Sequence, residues 1–330
     1  MISRRQAVLV LGAGALGAPL SSLAQQPSRT WRVGFLYFGT RKAALDTGRL
    51  DAFVQEMRKL GYVQGDNLTL EERFVDNNTG RIPAVVADIV RLRPDVIVAT
   101  GGPTYRPLRN ATTTIPIVIT VTVDPISAGY AATLARPGGN LTGLTDTATD
   151  LGPKHLELLV ALVPRLARVA VLMNPDNPTH ASQVVRVMSA AQKIDKQLVL
   201  VEARTPKEIE AGFATMMRMR ADALIVFGDT LFVDHIREIA AHALMSRLPS
   251  ASLNSDFARD GFLLSYGPNL LNHFRRAAVY VDKILKGANP GDLPFEQPTQ
   301  YQLLINLKTA KTLGITVPQS VLVRADELIK

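Results

Sequence analysis

The chain has 330 residues, 47% of them apolar, a formal net charge of +8 and no cysteine. The missing thiols exclude disulfides, thiolate metal sites, a cysteine nucleophile and a lipid-carrying cysteine. The basic excess is interspersed with acidic residues and forms no block, which argues against a nucleic-acid track and for a solvated surface.

The first element, Ala7 to Leu20, contains Gly12-Ala13-Gly14-Ala15-Leu16-Gly17, a complete G-x-G-x-x-G. A dinucleotide loop needs a helix after the third glycine and an acidic residue about 20 positions on. Here Pro19, Ser21-Ser22 and Gln25-Gln26-Pro27 follow, and the first acidic residue is Asp46. An export signal needs a basic start, an apolar stretch and a small-x-small cleavage site, and Arg4-Arg5, the apolar run and Ser22-Leu23-Ala24 supply them. Residues 1–24 therefore read as a signal peptide cleaved near Ala24, taking the general secretory or, from the Arg pair, the twin-arginine route. Beyond it no apolar stretch approaches the ~20 residues of a membrane helix, so a soluble mature chain with its own core, of one or two domains, is expected.

From Arg32 onward, strand and helix patterns alternate. Arg32–Tyr37 is β-rich and apolar; Asp46–Leu60 has helical spacing closed by Gly61; Leu68–Val75 alternates. Ile82–Arg93 is helical and stopped by Pro94, and Asp95–Thr100 and Ile115–Thr120 are buried-strand runs around a short helix at Pro107–Thr113. Ala135 to Gly143, with its Pro-Gly-Gly, reads as a turn and crossing, with Leu141–Leu144 as a hinge between lobes. The cycle repeats: helices at Leu151–Val163, Ala181–Ile194, Pro206–Met219 and Leu231–Ser246 alternate with strands at Arg168–Met173, Gln197–Glu202 and Asp222–Phe227. Gly261–Pro268 is a strand leading to a second crossing, Leu270–Lys286 a helix returning to the first lobe, and Pro290–Pro298 a third crossing before Tyr301–Leu307. The expected fold is α/β: two Rossmann-like lobes with parallel sheets and right-handed crossovers, joined by a multi-crossing hinge. The first lobe takes residues 30–142 and about 268–297, the second 143–267 and about 298–330.

Several segments carry a resemblance in their order and spacing. They include Leu60-Gly61-Tyr62-Val63-Gln64-Gly65-Asp66-Asn67, Arg93-Pro94-Asp95-Val96-Ile97-Val98, Leu134-Ala135-Arg136-Pro137-Gly138-Gly139-Asn140, Ser265-Tyr266-Gly267-Pro268-Asn269 and Val281-Asp282-Lys283-Ile284-Leu285-Lys286-Gly287. On these the chain resembles the solute-binding proteins of ABC transporters with the type I periplasmic-binding-protein fold, in the family that includes tryptophan/tyrosine-type binding proteins. The resemblance implies a periplasmic clamp, monomeric as suits a shuttle. It would take an amino acid or related carboxylate, with aromatic amino acids the best-known class, and hand it to a membrane permease of the ABC type, with no cofactor and no metal.

Ligands of open parallel sheets sit beyond the carboxyl ends of the strands, which points to the loops that follow them. In the first lobe these offer Tyr37 and Phe38; Thr100, Gly101, Gly102, Thr104 and Tyr105; and Thr120 and Asp124. In the second they offer Asn174, then Asp229 and Thr230, with Ser265 and Tyr266 at a crossing. Thr100-Gly101-Gly102 joins a strand to a helix and either receives a carboxylate on backbone N–H groups or is a tight turn. Asp124 and Asp229 either hold an ammonium or cap the next helix. Tyr37, Phe38 and Tyr105 stack on the solute or pack in the core, and Asn174 belongs to turn chemistry first. Against an enzyme stand the histidines: His155, His180, His235, His242 and His273 form no H-x-x-x-H pair, and there is no nucleophile elbow or P-loop. A repressor of similar core would need an N-terminal helix-turn-helix, where the first thirty residues read as a signal instead. A sensor subunit for a membrane kinase would bind ligand in the same way.

Overall fold

The computed structural model describes residues 29–122, 124–145, 151–177, 179–252, 255–297 and 301–330. The signal peptide expected at residues 1–24 lies outside them. The first five strands are β1 (Trp31–Tyr37), β2 (Leu68–Phe74), β3 (Val96–Thr100), β4 (Ile117–Thr122) and β5 (Leu141–Thr145). They form one all-parallel sheet in the order β2-β1-β3-β4-β5. Strands β3 and β5 are buried along their whole length, as a sheet covered on both faces requires.

The covering helices are α1 (Arg41–Asp46), α2 (Arg49–Lys59), α3 (Ile82–Arg91) and α4 (Gly102–Ala111). A single helix from Asp46 was expected. The structure breaks it at Gly48, which takes a left-handed φ of 68° and starts α2 afresh. That break turns Arg49, the first residue of α2, into the interior. α4 begins five residues earlier than its pattern suggested, because Pro103 fits a first turn.

The second sheet has β6 (Arg168–Met173), β7 (Gln197–Glu202), β8 (Ala223–Val226), β9 (Ser250–Ser252), β10 (Leu264–Pro268), β11 (Tyr301–Asn306) and β12 (Glu327–Ile329). Their order is β12-β11-β10-β9-β8-β6-β7, and among the described residues β10–β11 is its one antiparallel pair. The expectation of purely parallel sheets fails there, because β11 enters from the first lobe rather than by a crossover within its own. The helices around it are α5 (Leu151–Leu162), α6 (His180–Lys193), α7 (Pro206–Arg218), α8 (Thr230–Asp234), α9 (Ile236–Met245) and α10 (Ser255–Arg259), with α12 (Leu307–Leu313) and α13 (Gln319–Leu322) near the end.

The segment read as a hinge, Leu141–Leu144, is instead the edge strand β5 of the first sheet. Its Thr142 hydroxyl donates to the Leu293 carbonyl, and Thr145 N–H to that of Glu296. Helix α11 (Leu270–Leu285) returns to the first lobe. Its Phe274, Ala277, Ala278 and Val281 pack with Phe35, Val98 and Val118 of the sheet and Phe53 and Met57 of α2. Arg276 on α11 makes a two-pronged pair with Glu296 at 2.8 and 2.6 Å, pinning the third connection to this lobe.

Candidate functional site

The carboxyl ends of β3 and β4 face those of β6 and β8 across a cavity of about 950 Å³ whose wall both lobes supply. Of the residues singled out from sequence, Thr100, Gly101, Gly102, Tyr105, Thr120 and Asp124 line it from the first lobe, and Asp229 and Thr230 from the second.

Six others do not line it. Tyr37 is fully buried, stacked on Phe35 at 6.2 Å between ring centroids, and its hydroxyl accepts from Arg49 Nη1. Phe38 lies in the core behind the cleft. Thr104 donates its hydroxyl to the Gly101 carbonyl at 2.7 Å and is spent there. Asn174 stands behind Asp229 and donates to its Oδ1 at 3.3 Å. Ser265 lies inside β10, buried between β9 and β11. Tyr266 stacks on Tyr301 at 5.9 Å and its carbonyl meets His155 Nε2. The last two miss because the antiparallel arrival of β11 covers the strand read as an open crossing.

The backbone turn Thr100-Gly101-Gly102 is partly consumed by its own surroundings. Gly101, at φ 95°, gives its N–H to the Tyr105 hydroxyl, which itself donates to the Val121 carbonyl. Thr104 N–H returns to the Gly101 carbonyl, and Pro103 has no N–H to offer. The Thr100 and Thr120 hydroxyls meet at 2.8 Å on the same wall.

Asp229 is 6% exposed and already bonded by its own lobe: Oδ1 accepts from Leu231 N–H as the cap of α8, and Oδ2 from Asn177 Nδ2 at 2.8 Å. Asp124 caps the turn after it through Ser127 N–H, which holds its carboxyl below the usual range, with Arg186 on α6 adding to the effect. Capping, one of the two readings of each carboxylate, is what the geometry displays.

Among the wall residues that escaped the sequence reading, two have buried nitrogens without a partner among the described residues. Arg49 is 4% exposed, and its Nε and Nη2 have no partner among the described residues. Its guanidinium carbon lies 5.9 Å from the centre of the Phe274 ring. His273, on α11, is buried with Nδ1 also unpartnered. Burial pushes its pKa down to about 4, against the pull of Glu296, so the ring is neutral near pH 7. A buried guanidinium without an anion is costly to keep. The local signal for Arg49 was Gly48, a breaker within the helical pattern. Nothing local marks His273, since only the return of α11 brings it to the cleft. Tyr105 and Tyr130, edge to face at 6.1 Å, add an aromatic wall.

Among the described residues no group of three or more metal-ligating side chains converges, and no helix is long and apolar enough to cross a membrane. The profile of ABC transporter substrate binding proteins matches residues 44–329. A curated relative, the tyrosine-binding protein of Clostridioides difficile (strain R20291), is 26% identical over 263 residues, covering 80% of this chain and 75% of that one. Among solved structures, a conserved domain protein from Vibrio cholerae O1 biovar El Tor superposes with a TM-score of 0.84 at 27% identity. A Streptococcus pneumoniae ABC domain in complex with L-Trp gives 0.80 at 23%. Each covers 91% of this chain and 100% of its own.

Proposed function

This chain belongs to the ABC transporter substrate binding protein family, and we propose that it captures an amino acid with an apolar, aromatic side chain, or the related carboxylic acid, between its lobes. The observation that carries the reading is the two-lobe cavity with a buried guanidinium in its wall, two of whose nitrogens have no hydrogen-bond partner among the described residues. The solute's carboxylate would pair with Arg49, the Thr100 and Thr120 hydroxyls and His273 standing by as further donors. Its side chain would lie against Tyr105, Tyr130 and Phe274. Asp229 retains lone pairs for an ammonium at the opposite lobe. The names of the relatives, a tyrosine binder and a tryptophan complex, support the same class.

Neither lobe encloses the solute alone, so contacts to the second lobe exist only in the closed form, and closure follows from that differential affinity. A micromolar complex needs about −8 kcal/mol. Charge-assisted bonds and one apolar pocket supply that after ordering costs. The closed form would then be read by a membrane permease outside the cytoplasm, the protein acting as an exported monomer.

The test is a thermal-shift and calorimetric comparison of L-tryptophan, L-tyrosine and L-phenylalanine with their primary amides. The acids are expected to bind, the amides at least about tenfold more weakly, since one charged hydrogen bond is worth roughly 1.5–3 kcal/mol. In Arg49→Gln that preference should shrink towards one. Equal binding of acid and amide by the unaltered protein would remove Arg49 from the role, and silence with every carboxylate would remove the class.

A further inference from the structure

A carboxylate of the second lobe bonds to two loops of the first. Asp234, at the end of α8, accepts through Oδ2 from the Thr40 backbone N–H at 3.0 Å and from Asn77 Nδ2 at 2.5 Å. Thr40 and Asn77 follow β1 and β2 of the first lobe, so both bonds exist only while the lobes are together. The approach is close enough to need glycine: a Cβ on Gly39 would stand 2.9 Å from Asp234 Oδ1 and 2.8 Å from Thr230 Cγ2.

The bonding of this pair is incomplete in a specific way. Asp234 Oδ1 and Asn77 Oδ1 are both buried, and neither has a partner among the described residues. An ionised carboxylate and an amide oxygen are both acceptors, and a buried acceptor left unmade is destabilising. One proton resolves both. Placed on Oδ1 of the carboxyl, it would donate to Asn77 Oδ1 while Asn77 Nδ2 continues to donate to Oδ2, giving the acid–amide pair two mutual hydrogen bonds.

We propose that Asp234 is a proton-operated latch of the clamp: closure takes up one proton from solvent onto Asp234 Oδ1, shared with Asn77, so the closed form and its solute are held more firmly in acidic medium. The inference rests on the clamp reading above only in requiring that the lobes separate.

The surroundings agree. Burial raises the Asp234 carboxyl above its usual range in the closed form, against the Thr40 and Asn77 donors. The charges that oppose it are Arg49 on α2 and His235 beside it, the latter bonded to Glu238. The Tyr37 phenol faces it from β1 and is itself kept protonated, mainly by burial. Arg41 beside Thr40 is paired with Glu72, and Asp76 beside Asn77 with Arg81. His273 lies in the cleft wall on α11. With the lobes apart the carboxyl returns to water and to a pKa near 4. The closed form therefore binds more protons than the open one. Its advantage is full at low pH and is lost as pH rises through the raised closed-form value, with a limit of about tenfold per pH unit for one proton.

The chain has no cysteine, so Lys59→Cys on the first lobe and Met245→Cys on the second, both at exposed positions, take a pair of spin labels. Their separation is measured at pH 7.5 and 5.5, without ligand and with L-tryptophan. In the unaltered background the ratio of closed to open should rise at least threefold on acidification without ligand. Asp234→Asn carries the donor permanently, so it should be closed at both pH values. Asp234→Ala should be open at both. An Asp234→Asn protein that follows the same pH course as the unaltered one overturns the latch, because the histidines then account for the effect. A pH-independent ratio in the unaltered protein also overturns it. If no background changes its separation under any condition, tryptophan included, the lobes do not move and the clamp reading falls with the latch.

Discussion

At the residue scale, the cleft is built from side chains that first serve the fold. Asp229 caps α8 and collects the amides of Asn174 and Asn177, with Asn174 N–H going to His180 Nδ1 behind it. Replacing Asp229 with Ala strands two buried amide donors and a helix N-terminus. The expected loss is roughly 2–4 kcal/mol, a cap plus unmade buried bonds, read as a lowered urea midpoint with an unchanged slope. A midpoint within experimental scatter of the unaltered protein would show that the amides find other partners. Gly101 is as constrained: at φ 95°, a Cβ would fall 2.3 Å from Phe38 Cβ. Gly101→Ala should therefore lose on the order of 1–3 kcal/mol and weaken solute binding, by denaturation and calorimetry respectively. Preserved stability in that variant would mean the turn relaxes freely. Thr100, Gly101 and Gly102 were legible because a buried strand ending in two glycines is a local pattern. Arg49 was not, because its worth lies in what fails to surround it.

Among the elements, α5 and α11 each carry a buried histidine. His155, bonded to the Tyr266 carbonyl, and His273 are both pushed down to about 4 by burial. Their folded values lie below the unfolded value of about 6.5, so the unfolded chain binds more protons under acid. Stability is therefore full above about pH 6.5 and falls as pH drops towards 4, by roughly 2 kcal/mol for each histidine at pH 5. Unfolding free energies at pH 7 and 5 should differ accordingly, and His155→Gln should recover part of the difference. A flat profile between those values would mean that both rings find water. Strand β5 makes a second point. Gly143 lies at φ 143°, and a Cβ there would meet the Ile119 carbonyl at 2.1 Å, next to the irregular register between β4 and β5. Gly143→Ala should cost more stability than Gly138→Ala, where the space is open, and equal melting temperatures would contradict that. Leu141-Thr142-Gly143-Leu144 looked like a hinge because Gly and Pro around it break periodicity. The structure uses the same glycine to bring two backbones together.

For the whole molecule, two sheets meet at their carboxyl ends and α11 returns from the second lobe to seal the first. A solute bound across both lobes stabilises only the folded, closed protein. At a hundredfold excess over its dissociation constant it should add about 2.7 kcal/mol, a rise of several degrees in melting temperature for a chain of this size. A solute that binds by calorimetry without moving the melt would indicate equal affinity for unfolded chain.

The sequence by itself determined the α/β alternation, the split into two lobes, the crossing before α11 and several of the loops that line the cavity. These are local matters: periodicity over ten residues, a breaker, a run of β-branched residues. Only the tertiary structure decided that Arg49 lies inside, that Tyr37, Phe38, Ser265 and Tyr266 lie behind the cleft, and that Asp234 reaches across to Asn77. The physical reason is that burial and hydrogen-bond satisfaction are properties of residues far apart in the chain. Asp234 and Asn77 are 157 positions apart, and no window along the sequence contains both.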